Sequence, residues 1–198
     1  MEYLQSISNA NVCLSGGADG ADVAWGNYAA MVGHEVIHWS FPGHPSPAPE
    51  SQLIRLDDEQ LKAGDEALRD AAKALGQSPP QRPAVARLLR RNYYQVAWSQ
   101  ACYAITFMQQ GRQAPGGTVW ATTMFRQLHP GNHELYIFDQ SRDVWLQWNG
   151  KSWDVIDMPP HPTGVWAGIG ARHLTQSGYD AIRKLMSCTT CEIVKETQ

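Results

Sequence analysis

The chain has 198 residues, 43% of them hydrophobic and 18% charged, with a formal net charge of −3. That length and composition suit one globular domain over residues 1–198 with a substantial core, and the acidic balance gives no support to a nucleic-acid surface. No apolar run approaches the ~20 residues of a membrane span, and Met1-Glu2-Tyr3-Leu4-Gln5 lacks the basic region and apolar core of a signal peptide, so the compartment reads as cytoplasmic.

In chain order, Met1 to Ser8 reads as a short helical lead-in, followed by a strand at about 11–15. A glycine-rich turn, Ser15-Gly16-Gly17-Ala18-Asp19-Gly20, leads into a helix from Ala21 to Met31, with Gly33 as its stop. Glu35 to Trp39 is a second strand. The loop Ser40-Phe41-Pro42-Gly43-His44-Pro45-Ser46-Pro47 is too rich in proline to be helical. Asp57 to Leu75 has helical periodicity with acidic residues in its first turn, and a three-proline connector follows. Ala84 to Ser99 is a helix, and Cys102 to Phe107 is a strand apolar enough to be central and parallel. The glycine loop at 110–118 opens a further helix from Val119 to Leu128, with Thr118 as its expected cap. His133 to Phe138 is a strand. The runs 144–148 and 152–156 around Asn149-Gly150 read as a hairpin. Val165 to Gly170 is the last strand and Thr175 to Met186 the last helix. Strands alternating with helices predict an α/β, Rossmann-like three-layer fold with a mostly parallel central sheet and an inserted β-hairpin.

Two strand–glycine turn–helix units stand out. Such a unit aims backbone N–H groups and a helix N-terminus at an anion. The first offers Ser15, Gly16, Gly17, Ala18 and Gly20; the second offers Pro115, Gly116, Gly117 and Thr118. An ordinary turn without a ligand would use the same residues, but two such turns in one parallel sheet can face each other across one crevice and grip a phosphorylated ligand. A valine at Gly17 or Gly117 is expected to block the site without unfolding the chain. Arg91 and Arg172 are the cations best suited to phosphate, because guanidinium binds it in bidentate fashion. Asp22, Asp19 and Asp139 are candidate acids. His38 and His44, at the mouth of the second strand, suit a phosphate donor or an acid/base, or else a structural bond. Cys13 and Cys102 fall in predicted buried strands, where a thiol behaves as a small apolar group. Cys188-Thr-Thr-Cys191 has no further pair of zinc ligands nearby in sequence, so neither metal nor cofactor is expected.

These residues resemble a known family. Ser15-Gly16-Gly17-Ala18-Asp19-Gly20-Ala21-Asp22 is similar to the first glycine motif of the SLOG superfamily, which groups Lonely-Guy phosphoribohydrolases, the core of DNA-processing protein A and nucleotide-sensing domains of bacterial conflict systems. Pro115-Gly116-Gly117-Thr118 resembles its second motif, PGGxGTxxE, and the run from Arg91 to Ile105 resembles the arginine-bearing helix and strand before it. Ala167 to Gly178, with Gly170 and Arg172, is similar to the superfamily's opening strand and turn, which elsewhere precedes the first glycine motif. The resemblance therefore implies a circular permutation, with the first βα unit at about 164–187 and its strand beside strand 11–15.

It also implies a nucleotide-like small molecule as ligand, Gly170 and Arg172 among its contacts, and a homodimer, for which the tryptophan hairpin offers a surface. As an enzyme, the chain would hydrolyse the N-glycosidic bond of a nucleoside monophosphate, with Arg91, Asp22 and His44 as the catalytic set. Val119 stands where the motif has its third glycine and Thr123 where it has glutamate, and threonine is no general base near neutral pH. A sensor or sequestering protein is therefore preferred to the hydrolase.

Overall fold

The computed structural model describes residues 10–109 and 116–187. The predicted lead-in at 1–8, most of the second glycine loop with Pro115, and the Cys188/Cys191 pair lie outside the described residues. Eight strands form one sheet: β1 (Val12–Ser15), β2 (Glu35–Ser40), β3 (Leu53–Arg55), β4 (Ala101–Thr106), β5 (Leu135–Asp139), β6 (Val144–Trp148), β7 (Trp153–Ile156) and β8 (Val165–Gly170). The helices are α1 (Ala21–Met31), α2 (Asp58–Leu61), α3 (Asp65–Ala74), α4 (Pro83–Val96), α5 (Gly116–Leu128) and α6 (Gln176–Ser187). The strand order is β3-β2-β1-β8-β4-β5-β6-β7. All neighbours from β3 to β5 are parallel, and the β6–β7 hairpin extends that edge antiparallel. The fold is α/β and Rossmann-like.

The strands are apolar at successive positions because both sheet faces are covered. On one face, α3, α4 and α5 lay Leu68, Leu89 and Phe125 over Ile137 and Ile169. On the other, α1 and α6 bring Trp25 and Ile182 against Tyr103 and Trp166. A third cluster places Leu14 and Ile37 with Leu56 and Leu61, and Leu88 and Trp98 pack against it. Strand β8 sits between β1 and β4, pairing Val12 with Val165 and Ala101 with Trp166. The last strand of the chain thus joins the two halves of the sheet.

Four elements differ from expectation. The edge strand β3 was unassigned; three residues after a proline loop carry too little periodicity to show. The single helix expected at 57–75 is broken by a 3₁₀ turn at Lys62–Gly64. A Cβ at Gly64 would lie 2.7 Å from the Arg90 carbonyl, so α4 crosses too closely for a straight helix with a larger residue there. Helix α5 begins at Gly116, which puts Thr118 inside its first turn instead of at the cap. In the hairpin, the Asn149 side chain accepts from the N–H groups of Lys151 and Ser152, closing a loop over 149–152. Its tryptophans are largely covered: Trp145 is buried, and Trp148 packs on Trp153 under the Arg126 guanidinium, 4.5 Å from the ring centre.

Candidate functional site

The carboxyl ends of β1, β8 and β4 lie side by side, and the chain leaves β1 and β4 in opposite directions across the sheet. That is the switch point where open α/β sheets keep their ligand crevice. A cavity of about 300 Å³ lies there. The first turn contributes Ala18 and Asp22, and the end of β8 contributes Gly170 and Arg172. Helix α4 contributes Arg91, Asn92 and Gln95; α5 contributes Gly116, Gly117, Thr118 and Ala121; Thr106 comes from the end of β4. Both glycine turns and both arginines singled out in the sequence therefore border one space.

The first turn is shaped by protein neighbours. The Ser15 hydroxyl is shared between the carbonyls of Asp22 at 3.0 Å and Gly168 at 2.5 Å. A Cβ on Gly16 would land on the Arg91 guanidinium. Gly17 has φ +63° and Gly20 φ +92°, conformations that side chains disfavour. Gly17 also meets Ser46, whose hydroxyl donates to its carbonyl at 2.5 Å, and Gly20 abuts the Arg172 carbonyl. Of the turn's five predicted ligand contacts, only Ala18 borders the cavity.

Asp22 explains why. Its carboxylate accepts the Gly170 N–H at 3.2 Å and the Arg91 Nη1 at 3.3 Å. The Gly170 N–H and the Arg91 guanidinium thus already hold a carboxylate from the protein itself. Burial pushes the Asp22 carboxyl above its ordinary range despite Arg91, and burial lowers Arg91 despite Asp22. Arg91 is 3% exposed, and its Nε has no partner among the described residues. Thr106, 0% exposed, likewise has a hydroxyl without a partner among the described residues, at the cavity wall. Such buried orphans are uncommon.

The second turn has more room. The nearest atoms to a Cβ on Gly117 lie 4.0 Å away. Asn92 Nδ2 donates to the Gly117 carbonyl at 3.2 Å and ties α4 to α5. The α5 wall carries no acid: Ala121 faces the cavity, while Thr123 is turned away and accepts from Arg126 at 3.3 Å. Arg172 is exposed and forms no salt bridge among the described residues.

His44 does not border this cavity. Its Nδ1 lies 3.1 Å from Ser40 Oγ, and burial, Arg91 and Arg172 hold its pKa down to about 4. His38 is fully buried beside Gly17 and Gly26, and burial and Arg91 hold it at about 4 as well. Both rings are neutral near pH 7. Asp139 is bound by Met108 N–H, by Ser141 N–H and hydroxyl, and by Arg142, as the anchor of a turn. Among the described residues no group of three or more His, Cys, Asp or Glu could hold a metal ion.

Sequence reasoning missed Thr106 and Gln95. Gln95 was visible in principle: with Arg91 and Asn92 it puts polar side chains on the buried face of an otherwise apolar helix stripe. Thr106 at the end of an apolar strand had no such signal. Comparison with protein-family models, with curated proteins and with solved structures found no match.

Proposed function

We propose that this chain binds a nucleotide or nucleotide-derived molecule in the cavity between the two glycine turns, as a sensor or sequestering protein. The observation that carries this reading is the composition of one wall-to-wall space at the sheet's switch point. There the first turn of α5, Arg91, Arg172 and the orphaned Thr106 hydroxyl converge around a cavity with no acid on its α5 side. The helix N-terminus and Arg172 supply an anion site. Asp22 and Thr106 supply polar partners for hydroxyl groups. The position of β8 between β1 and β4 supports kinship with the SLOG superfamily through a displaced βα unit.

A second reading, a nucleotide N-glycosidase, draws on Asp22: a carboxyl with raised proton affinity bordering a cavity suits general acid work. One experiment separates the two. The purified chain is incubated with nucleoside monophosphates, and free base and ribose 5-phosphate are measured beside thermal stabilisation. Stabilisation without turnover is expected; base release that disappears in Asp22→Asn would establish the hydrolase, and no stabilisation by any nucleotide would remove both readings.

A further inference from the structure

The proline loop takes no part in the cavity, yet it is firmly built. His44 N–H donates to the Phe41 carbonyl at 3.0 Å, Ser40 Oγ meets His44 Nδ1 at 3.1 Å, and Ala48 N–H donates to Ser46 Oγ at 3.2 Å. Ser46 in turn clasps the Gly17 carbonyl, fixing the loop against the first glycine turn. The loop walls a second space of about 510 Å³, lined by Ala18, Asp19, Pro45, Ser46, Pro47 and Arg172. Ala18 and Arg172 border the first cavity as well, so the two spaces meet at the Arg172 side chain.

Resting on the nucleotide reading above, we infer that the ligand has two halves, as in a dinucleoside pyrophosphate. One nucleotide fills the first cavity, the bridging phosphates lie between the first turn of α5 and Arg172, and the second nucleoside rests on Pro45 and Pro47. Three features support this. The first turn of α5 and Arg172 both border the inner cavity, and Arg172 borders the outer one as well, so phosphates held there lead from one space to the other. Two buried polar groups without a partner among the described residues, Arg91 Nε and the Thr106 hydroxyl, border the inner chamber and suit a polar guest. The outer chamber mixes apolar proline rings with the Asp19 carboxylate, which accepts the Gly20 N–H at 2.9 Å and has acceptor capacity left for sugar hydroxyls.

The test is calorimetric titration of the full chain with AMP, GMP, diadenosine pyrophosphate and diguanosine pyrophosphate. At least one pyrophosphate is expected to bind tenfold or more tightly than its own monophosphate. Pro47→Trp, which fills the outer chamber, is expected to cut that ratio at least tenfold, and Pro45→Trp provides the same reading from the other side of Ser46. Equal affinity for a monophosphate and its pyrophosphate, or a ratio that survives both tryptophans, overturns the two-chamber ligand and leaves the nucleotide reading standing. If none of the four compounds binds, the nucleotide reading falls and takes this inference with it.

Discussion

Arg91 is a cation taken out of water, and its nearest anion is one carboxylate 3.3 Å away. Truncating it strands Asp22 as a buried, unpaired charge, which costs about 3–5 kcal/mol in comparable cases. Arg91→Ala is therefore expected to lose that much in urea denaturation, and the double variant Arg91→Met, Asp22→Leu to recover much of it. Additive single losses would mean that the pair is not coupled. His38 sets a second expectation. The unfolded chain protonates it near the usual 6.5 and the folded chain only at about 4. Its contribution is complete above pH 6.5 and is lost as pH falls toward 4, a gap worth roughly 3 kcal/mol. Asp22, which takes its proton more readily folded than unfolded, pulls the other way over the acid range. Urea melts from pH 7.5 to pH 4 are expected to show a falling stability whose slope is shallower in His38→Asn, the remaining slope coming from His44, which is held at about 4 as well.

The elements around the site divide into those built by local pattern and those built by contact. The two glycine turns look alike in sequence and differ in what surrounds them. Gly117→Val has 4.0 Å of clearance for its Cβ, so it is expected to keep the melting temperature and abolish nucleotide-induced stabilisation. Gly17→Val is a correction to the sequence expectation. Its φ of +63° and the Ser46 and His38 atoms against it predict a loss of at least ~2 kcal/mol in chemical denaturation, before any ligand is considered. Glycine spacing identified both turns, because the backbone demands glycine in either case. Whether a ligand or a neighbouring side chain makes the demand depends on residues such as Ser46, 29 positions from Gly17, and Arg172, 152 positions from Gly20, which spacing does not encode. The same limit hid Thr106, whose role comes only from the strand end on which it sits. By contrast Arg91 was legible from its residue type, and Asn92 and Gln95, which were missed, lie on the same buried helix face.

At the scale of the molecule, alternating periodicities made the α/β class and most elements readable. The order of strands was readable only where a motif stood out of place. The expectation that strand 165–170 lies beside strand 11–15 matches the observed pairing. What stayed hidden were features of contact: the three-residue edge strand β3 and the 3₁₀ break at Gly64. A permuted chain with residues 164–187 ahead of residue 1 through a short linker is expected to fold with a cooperative melt, whereas a chain ending at residue 163 is expected to show none; a cooperative melt of the shortened chain would mean that β8 is dispensable. The central place of β8 carries a consequence for synthesis. As the nascent chain leaves the ribosome, β1 to β3 and β4 to β7 emerge first, and no strand yet bridges them. Until residue 170 appears, the flanks of β1 and β4 stand open as apolar edges ready to zip onto another polypeptide. The closing stitch comes late, so the growing chain needs either speed or a chaperone's shelter over those two edges.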